Sequence, residues 1–276
     1  VRTKKLAFIH EVTKEVWKLN PWSKPFNIIP AIIGSSLEPL VFKYIYSKIN
    51  FMTVSQSTKK DLVAWGIKQN NITVVHNGVA IHKLKKKPSK ETRKTLIYLG
   101  ALSRDKGIED ALKVFSSIAG IEDDWQFWVV GKSDPRYLKR LKLLSESLGI
   151  SKKVRFWGFV DEKKKFELLS RSHLAINTSI REGWGLVNIE ANSVGLPVLA
   201  YDVSGSRDSV KQGETGFLSS PGNNNELAVN ALKLINHKNL YQRMQNQAII
   251  WGKNFSWKKS SRQSLNLLKK LTKKED

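Results

Sequence analysis

Two glutamates, Glu182 and Glu190, bracket the segment of this chain best suited to chemistry. The run Asn177-Thr-Ser-Ile-Arg-Glu182-Gly183-Trp184-Gly185-Leu186-Val-Asn-Ile-Glu190-Ala191 reads as a strand end, a glycine-containing loop and a helix start. Gly183 and Gly185 let backbone amides approach a ligand closely. The free N–H groups at a helix start suit a phosphate or sugar oxygen. Two carboxylates beside such a cradle accept hydrogen bonds from vicinal hydroxyls. The ordinary alternative is a polar loop with a solvated Glu190. Against it, Glu190 sits among Leu186, Val187, Ile189, Ala191 and Val194, where a carboxylate needs a partner.

A second candidate is Gly100-Ala-Leu-Ser-Arg104-Asp-Lys106-Gly107, after a strand and before a helix. Lys106 near the helix start, with Arg104 assisting, suits a diphosphate. Glycine-lysine turns are common, so this segment is weak alone. Neither a P-loop nor a G-x-G-x-x-G run is present, which lowers the standing of nucleotide hydrolysis and simple dinucleotide binding.

The elements that position these loops alternate regularly. Strands are expected at Leu6–His10, Phe51–Val54, Ile72–Val75, Thr95–Leu99, Gln126–Val130, Val154–Trp157, Leu174–Asn177 and Pro197–Tyr201. Helices are expected over 55–65 with Ser55 as N-cap, 106–119, 135–148, 162–170 and 184–194, with polar helical periodicity over 225–271. Strands alternating with helices at this spacing indicate a parallel sheet with both faces covered, which binds ligands beyond its carboxyl edge. Residues 22–51 are the most apolar stretch. The longest uncharged run in it, Pro25 to Leu37, is too short to span a bilayer. A loop and a core-facing helix is the favoured reading. The sharper one is an interfacial surface of Trp22, Phe26, Ile28, Ile29 and Tyr44 near lipid.

Of 276 residues, 41% are hydrophobic, which excludes a disordered polyelectrolyte. No cysteine is present, so disulfide scaffolds and zinc–thiolate sites are excluded. The net charge of +23 is uneven. Residues 1–60 carry ten bases and three acids, 82–95 seven bases and one acid, and 252–276 eight bases and two acids. Residues 96–251 are close to neutral, at +4. Lysine supplies 36 of the 47 bases, which favours a diffuse field, toward an anionic membrane or in general solvation, over arginine-based reading of bases or phosphates. Residues 1–30 contain no signal-peptide apolar region. Asn-x-Ser/Thr sequons at Asn71, Asn177 and Asn254 are read as coincidental.

The Glu182-x₇-Glu190 segment resembles the signature of family 4 glycosyltransferases, retaining enzymes of the GT-B fold. Gly195-Leu-Pro197-Val-Leu-Ala-Tyr-Asp202, Gly213-Glu-Thr-Gly216-Phe-Leu, Val54-Ser55 with Asp61-Leu62, Asn77-Gly78-Val79, Gly131 and Val154-Arg-Phe-Trp-Gly158-Phe follow the same pattern. The ordered set spans about residues 6–220. It implies α/β architecture with two Rossmann-like domains. Residues 1–80 would be the latter part of an acceptor-side domain, 81–94 a linker, and 95–252 the nucleotide-sugar-binding domain. Residues 253–276 would form a helix returning toward the first domain. By resemblance, Glu190 would bind the ribose hydroxyls, Glu182 the transferred sugar, and the amides of Gly183, Trp184, Gly185 and Leu186 the sugar and phosphate. Lys106 would neutralise the leaving diphosphate in place of a metal, with Arg104 assisting. Gly158 and Phe159 would frame the base. His10 would stand near the sugar, although a lone histidine is often merely solvated or structural. No cofactor or metal is implied. The donor would be a UDP- or GDP-sugar, and the acceptor a glycan or a lipid-linked or cell-envelope molecule. The setting would be cytoplasmic, with peripheral contact to anionic membrane and no nucleic-acid partner. Retention in this family is assigned to same-face attack, so no protein nucleophile is nominated.

Two features depart from the family pattern. Ala101 stands where the family usually has arginine, so either Arg104 substitutes or the phosphate is held less tightly. The front of the first domain, with its opening strand and glycine-rich acceptor loop, has no counterpart, which is expected of a fragment or of a domain that has lost strands. A non-catalytic donor-binding module is therefore the alternative to a transferase. A nucleic-acid-binding protein is argued from charge alone.

Overall fold

The computed structural model describes residues 4–12, 28–80 and 88–272. It divides into two units. The first comprises Val1–Gly78, Glu182–Trp184 and Ser256–Asp276, and the second Val79–Arg181 and Gly185–Phe255.

In the first unit, β1 (Leu6–Ile9), β2 (Asn50–Thr53) and β3 (Ile72–Val74) form a parallel sheet in the order β1-β2-β3. Between β1 and β2 runs α1 (Ile28–Tyr44), and α2 (Gln56–Ala64) follows β2. Ser55 caps α2 as its residue type suggests, its hydroxyl accepting from the Thr58 amide. The small core gathers Phe51, Leu62, Trp65, Ile67 and Ile72. Phe42, near the end of α1, packs on Phe51 and Trp65 with ring centroids 5.9 and 5.1 Å apart. The C-terminal helix α10 (Trp257–Thr272) joins this unit, with the Ser260 hydroxyl donating to the His76 carbonyl at 2.5 Å.

Here the expectation of a core-facing α1 is corrected. Only Ala31 of the helix is buried, while Ile29, Ile32, Leu37 and Tyr44 are 61, 60, 53 and 71% exposed. The reason lies in its composition. Apolar residues lie on all sides of α1, so turning one face to a three-stranded sheet leaves the others outside. Trp22 and Phe26 fall outside the described residues, as does the first half of the expected linker, residues 81–87.

The second unit carries a six-stranded parallel sheet in the order β6-β5-β4-β7-β8-β9. Its strands are β4 (Lys94–Leu99), β5 (Trp125–Val130), β6 (Val154–Gly158), β7 (Leu174–Asn177), β8 (Val198–Tyr201) and β9 (Gly216–Ser219). The helices are α3 (Ile108–Ile121), α4 (Pro135–Ser147), α5 (Glu162–Arg171), α6 (Leu186–Ser193), α7 (Ser206–Ser209), α8 (Asn224–Asn236) and α9 (Lys238–Gly252). All four residues of β7 and of β8 are buried, as central strands covered on both faces require. On α3, Ile108, Ala111, Leu112, Phe115 and Ile118 recur at helical spacing and bury against the sheet, while Glu109 and Asp110 favour its first turn. Helices α3 and α6 begin two residues later than expected, because Gly107 and Gly185 are their N-caps. Strand β9 and the short α7 were not expected: four residues of strand and one turn of helix carry too little periodicity to read.

Candidate functional site

At the carboxyl edge of the larger sheet, a cavity of about 290 Å³ opens where β4, β5 and β6 end. Leu99 to Ala101 and Val130 to Lys132 form one side, and Phe159 and Val160 another. Glu162 and Lys165 of α5, with Val187 and Glu190 of α6, close it.

The partner that Glu190 needs is Lys165, whose Nζ donates to its Oε1 at 2.7 Å and to Glu162 Oε1 at 2.7 Å. The side chains of Lys165 and Glu190 are 13 and 18% exposed. Burial pushes the Glu190 carboxyl above the usual carboxylate range, and the hydrogen bond and charge of Lys165 only partly offset this. Burial also opposes the charge on Lys165, but its bonds to Glu162 and Glu190 outweigh that and raise its pKa. An ion pair lining a cavity combines an acceptor and a donor for a polar ligand, and both lose solvent before any ligand arrives. Lys165 is a residue that sequence reasoning missed. It lies within the polar run Asp161-Glu-Lys-Lys-Lys165, where only the register of α5 picks one lysine from three.

The loops around this cavity are tied to one another. The Thr178 hydroxyl donates to the Gly107 carbonyl at 2.7 Å, and the Ile180 amide to the Asp105 carbonyl at 2.9 Å. The Tyr98 hydroxyl donates toward the carbonyls of Ala101 and Lys106. Beneath α6, Asn177 Nδ2 donates to Asn188 Oδ1 at 3.0 Å, and Asn188 Nδ2 to the Ser209 hydroxyl at 2.9 Å. Asn177 also accepts from the Ser179 amide. This buried chain holds the β7–α6 turn, and its members are a second set that sequence reasoning did not single out. Its burial also keeps the sequon at Asn177 away from solvent. Gly185 takes φ +72°, and a Cβ there would fall 2.6 Å from the Ser209 hydroxyl, so this cap admits glycine alone.

Of the residues expected from sequence, Glu190 and Phe159 line the cavity. Gly158 stands behind it, its carbonyl accepting from the Gly131 amide at 2.9 Å. Lys106, Gly185 and Leu186 lie on the neighbouring turns, and Arg104 lines a different cavity with Lys132 and Tyr137. Lys132, at the wall of both cavities, was also missed. Glu182, Gly183, Trp184 and His10 belong to the first unit. There a Cβ on Gly183 would fall 2.5 Å from the His10 carbonyl oxygen, so Gly183 serves close backbone approach. Trp184 is buried and stacks on His76, with ring centroids 4.3 Å apart. Among the described residues, no group of three or more His, Asp or Glu is arranged to hold a metal ion, and no helix is long and apolar enough to cross a membrane.

Two α/β units with all-parallel sheets, and a cavity at the carboxyl edge of the larger one, define a Rossmann-like protein of GT-B-like fold. The chain belongs to the glycosyl transferases group 1 family, whose model matches residues 81–251, more than half of it. It is 27% identical over 175 residues to the lipopolysaccharide 1,6-galactosyltransferase of Salmonella typhimurium, covering 62% of this chain and 48% of that one. It is 30% identical over 193 residues to an uncharacterized glycosyltransferase of Haemophilus influenzae, covering 70% of this chain and 53% of that one. Its fold is similar to that of Anabaena HepE, solved in complex with UDP and glucose: the TM-score is 0.77 at 20% identity, over 98% of this chain and 72% of that one. The chain spans about half the length of the curated relatives it matches.

Proposed function

We propose that this protein transfers a sugar from a nucleotide-sugar donor to a glycan, lipid-linked or cell-envelope acceptor, with retention of anomeric configuration. The observation that carries the reading is the Glu190–Lys165 pair in the wall of the carboxyl-edge cavity. In this reading Glu190 accepts hydrogen bonds from the ribose hydroxyls, and the base lies against Phe159 and Val160. The amides of Gly183 to Leu186 and the Lys106 ammonium face the sugar and diphosphate. Fixed dipoles and a cation stabilise the negative charge that builds on the departing phosphate, so no metal or other cofactor is required. Glu182 holds the transferred sugar, and His10 stands near it. The UDP bound by HepE and the envelope substrate named for the Salmonella relative support the choice of donor and acceptor class.

Calorimetric titration with UDP and GDP tests the donor site. One of them binds, and Glu190→Ala weakens it by about tenfold or more, the loss expected for hydrogen bonds to a charged group. Unchanged affinity would remove Glu190 from the site. Donor-sugar consumption with Glu182→Ala then tests transfer, and equal turnover by variant and parent would defeat the role of Glu182. A second reading, donor binding without transfer, rests on Ala101, which leaves a methyl group at the cavity wall where the family pattern has a guanidinium. Nucleotide binding with no transfer to any acceptor would select it.

We also propose peripheral contact with an anionic membrane at its cytoplasmic face. The support is the basic excess on residues 1–60 together with the exposed isoleucines of α1.

A further inference from the structure

Beside the site just described lies a larger cavity, of about 630 Å³, between the β4–α3 and β5–α4 turns. Its position at the same sheet edge makes Ala101 and Lys132 common to both cavities. Arg104, however, lines only the larger one. Arg104 and Lys132 make no ion pair among the described residues, and both are exposed. Two of the nearby acids have other partners. Asp134 caps α4, accepting from the amides of Arg136 and Tyr137, and Glu109 accepts from the Tyr137 hydroxyl and pairs with Arg140 at 3.6 Å. Two cations without an ion pair therefore face a cavity with one lining carboxylate, Asp134, whose Oδ1 is held by the start of α4.

The rest of the lining sets the kind of ligand. Leu102 and the Tyr137 ring supply apolar surface, and Ser103 adds a hydroxyl. The walls are braced: the Leu102 amide donates to the Lys132 carbonyl at 2.8 Å, and the Ser133 hydroxyl to the Leu102 carbonyl at 3.3 Å. A braced cavity of several hundred Å³ with mixed lining falls within the ordinary range for small-ligand sites. Arginine beside lysine suits a phosphate, the guanidinium by its fork and the ammonium as a point charge.

We infer that this cavity is a second ligand site, which takes a phosphomonoester carried on an apolar body, with Arg104 and Lys132 on the phosphate and Leu102 and Tyr137 against the body. Such a group comes either from a soluble organic phosphate or from the headgroup of a phospholipid. The inference goes beyond the donor reading and does not need it. Arg104 is then a residue of this second site.

The test uses the whole chain and two probes. Phenyl phosphate is titrated calorimetrically, with and without saturating UDP, and vesicles of phosphatidylcholine with and without phosphatidic acid are tested by co-sedimentation. At least one probe binds, UDP does not displace it, and Arg104→Gln weakens it by about tenfold or more, while Glu190→Ala leaves it unchanged. Dependence on Arg104 with phenyl phosphate alone assigns a soluble ligand, and with phosphatidic acid a lipid. The inference is overturned if neither probe binds, if UDP displaces the bound probe, or if Arg104→Gln binds as well as the parent. Arg104 is exposed, so its replacement leaves the fold intact, and an unchanged melting temperature verifies that. Failure of UDP to bind would count against the donor reading alone.

Discussion

Helix α3 of the second unit buries Ile108, Ala111, Leu112, Phe115 and Ile118 completely, while α1 of the first unit buries only Ala31 and leaves Ile28, Ile29, Ile32 and Ile33 in solvent. Both helices are rich in isoleucine and leucine, so composition does not separate them. Their arrangement does. In α3 the polar residues Glu109, Asp110, Lys113 and Ser117 fall together on one side, which leaves one stripe for the sheet. In α1 no polar face exists, and a three-stranded sheet offers surface for little more than its Phe42 end. The apolar face of α1 left outside the core is the feature on which the membrane proposal rests, whereas the buried stripe on α3 is structural.

The largest expected effect breaks the second unit from within. Phe127 is fully buried on β5 and stacks on Phe115 of α3, with ring centroids 5.1 Å apart. Phe127→Ala costs about 3–5 kcal/mol of stability, through lost burial and the cavity left behind. Chemical denaturation measures this, and a loss below 1 kcal/mol would show that the cluster around α3 repacks freely, contrary to the contrast drawn with α1.

How much of this was legible in the sequence follows the same division. In the second unit a sheet covered on both faces imposes short continuous apolar strands and period-3.6 helices, so β4 to β8 and α3 to α6 were readable to within about two residues at most ends. The boundaries slipped where a glycine cap, as at Gly107 and Gly185, replaced a hydrophobic cue. At the site, Glu190 was legible because a carboxylate among aliphatic residues asks for a partner. The identity of that partner was not, because Lys163, Lys164 and Lys165 are equivalent as sequence and differ only by their angle around α5. Asn177, Asn188 and Ser209 were equally hidden, since a polar network closes through space between β7, α6 and α7. For α1 the apolar composition was plain, but composition does not say whether a surface exists to receive it.

A smaller effect sharpens the contrast at the cavity. Lys165→Met removes the ammonium that partly compensates the buried Glu190. The pair keeps some contact with solvent, so the stability loss at neutral pH falls below the 3–5 kcal/mol seen on breaking fully buried pairs, at about 1–2 kcal/mol. Its pH dependence has a definite sign. The folded Glu190 carboxyl already has a raised pKa, so its charged form is disfavoured relative to the unfolded chain, and the variant raises that pKa further. The destabilisation is therefore greatest above the folded pKa and shrinks as acid protonates the carboxyl. Melting temperatures of parent and variant across pH converge on acidification. Curves that stay parallel would mean that Lys165 acts through packing alone.

The smallest effect on stability falls on α1, and it separates the two units most directly. Ile32 and Ile33 are 60 and 50% exposed, so Ile32→Ser with Ile33→Ser removes little burial from the folded state. Replacements of that kind change stability by about 0.5 kcal/mol or less, in contrast to the loss at Phe127. The same change takes two large apolar groups from the face we assign to the membrane, near Lys43 and Lys48. An interfacial helix binds through apolar insertion together with attraction of bases to anionic lipid. Co-sedimentation with phosphatidylglycerol vesicles therefore falls sharply in the double variant, while the parent loses binding with neutral phosphatidylcholine and at high salt. If the variant binds vesicles as the parent does, α1 is not the membrane element. If instead it binds no less but changes from dimer to monomer in light scattering, the exposed face of α1 belongs to a second copy of the chain.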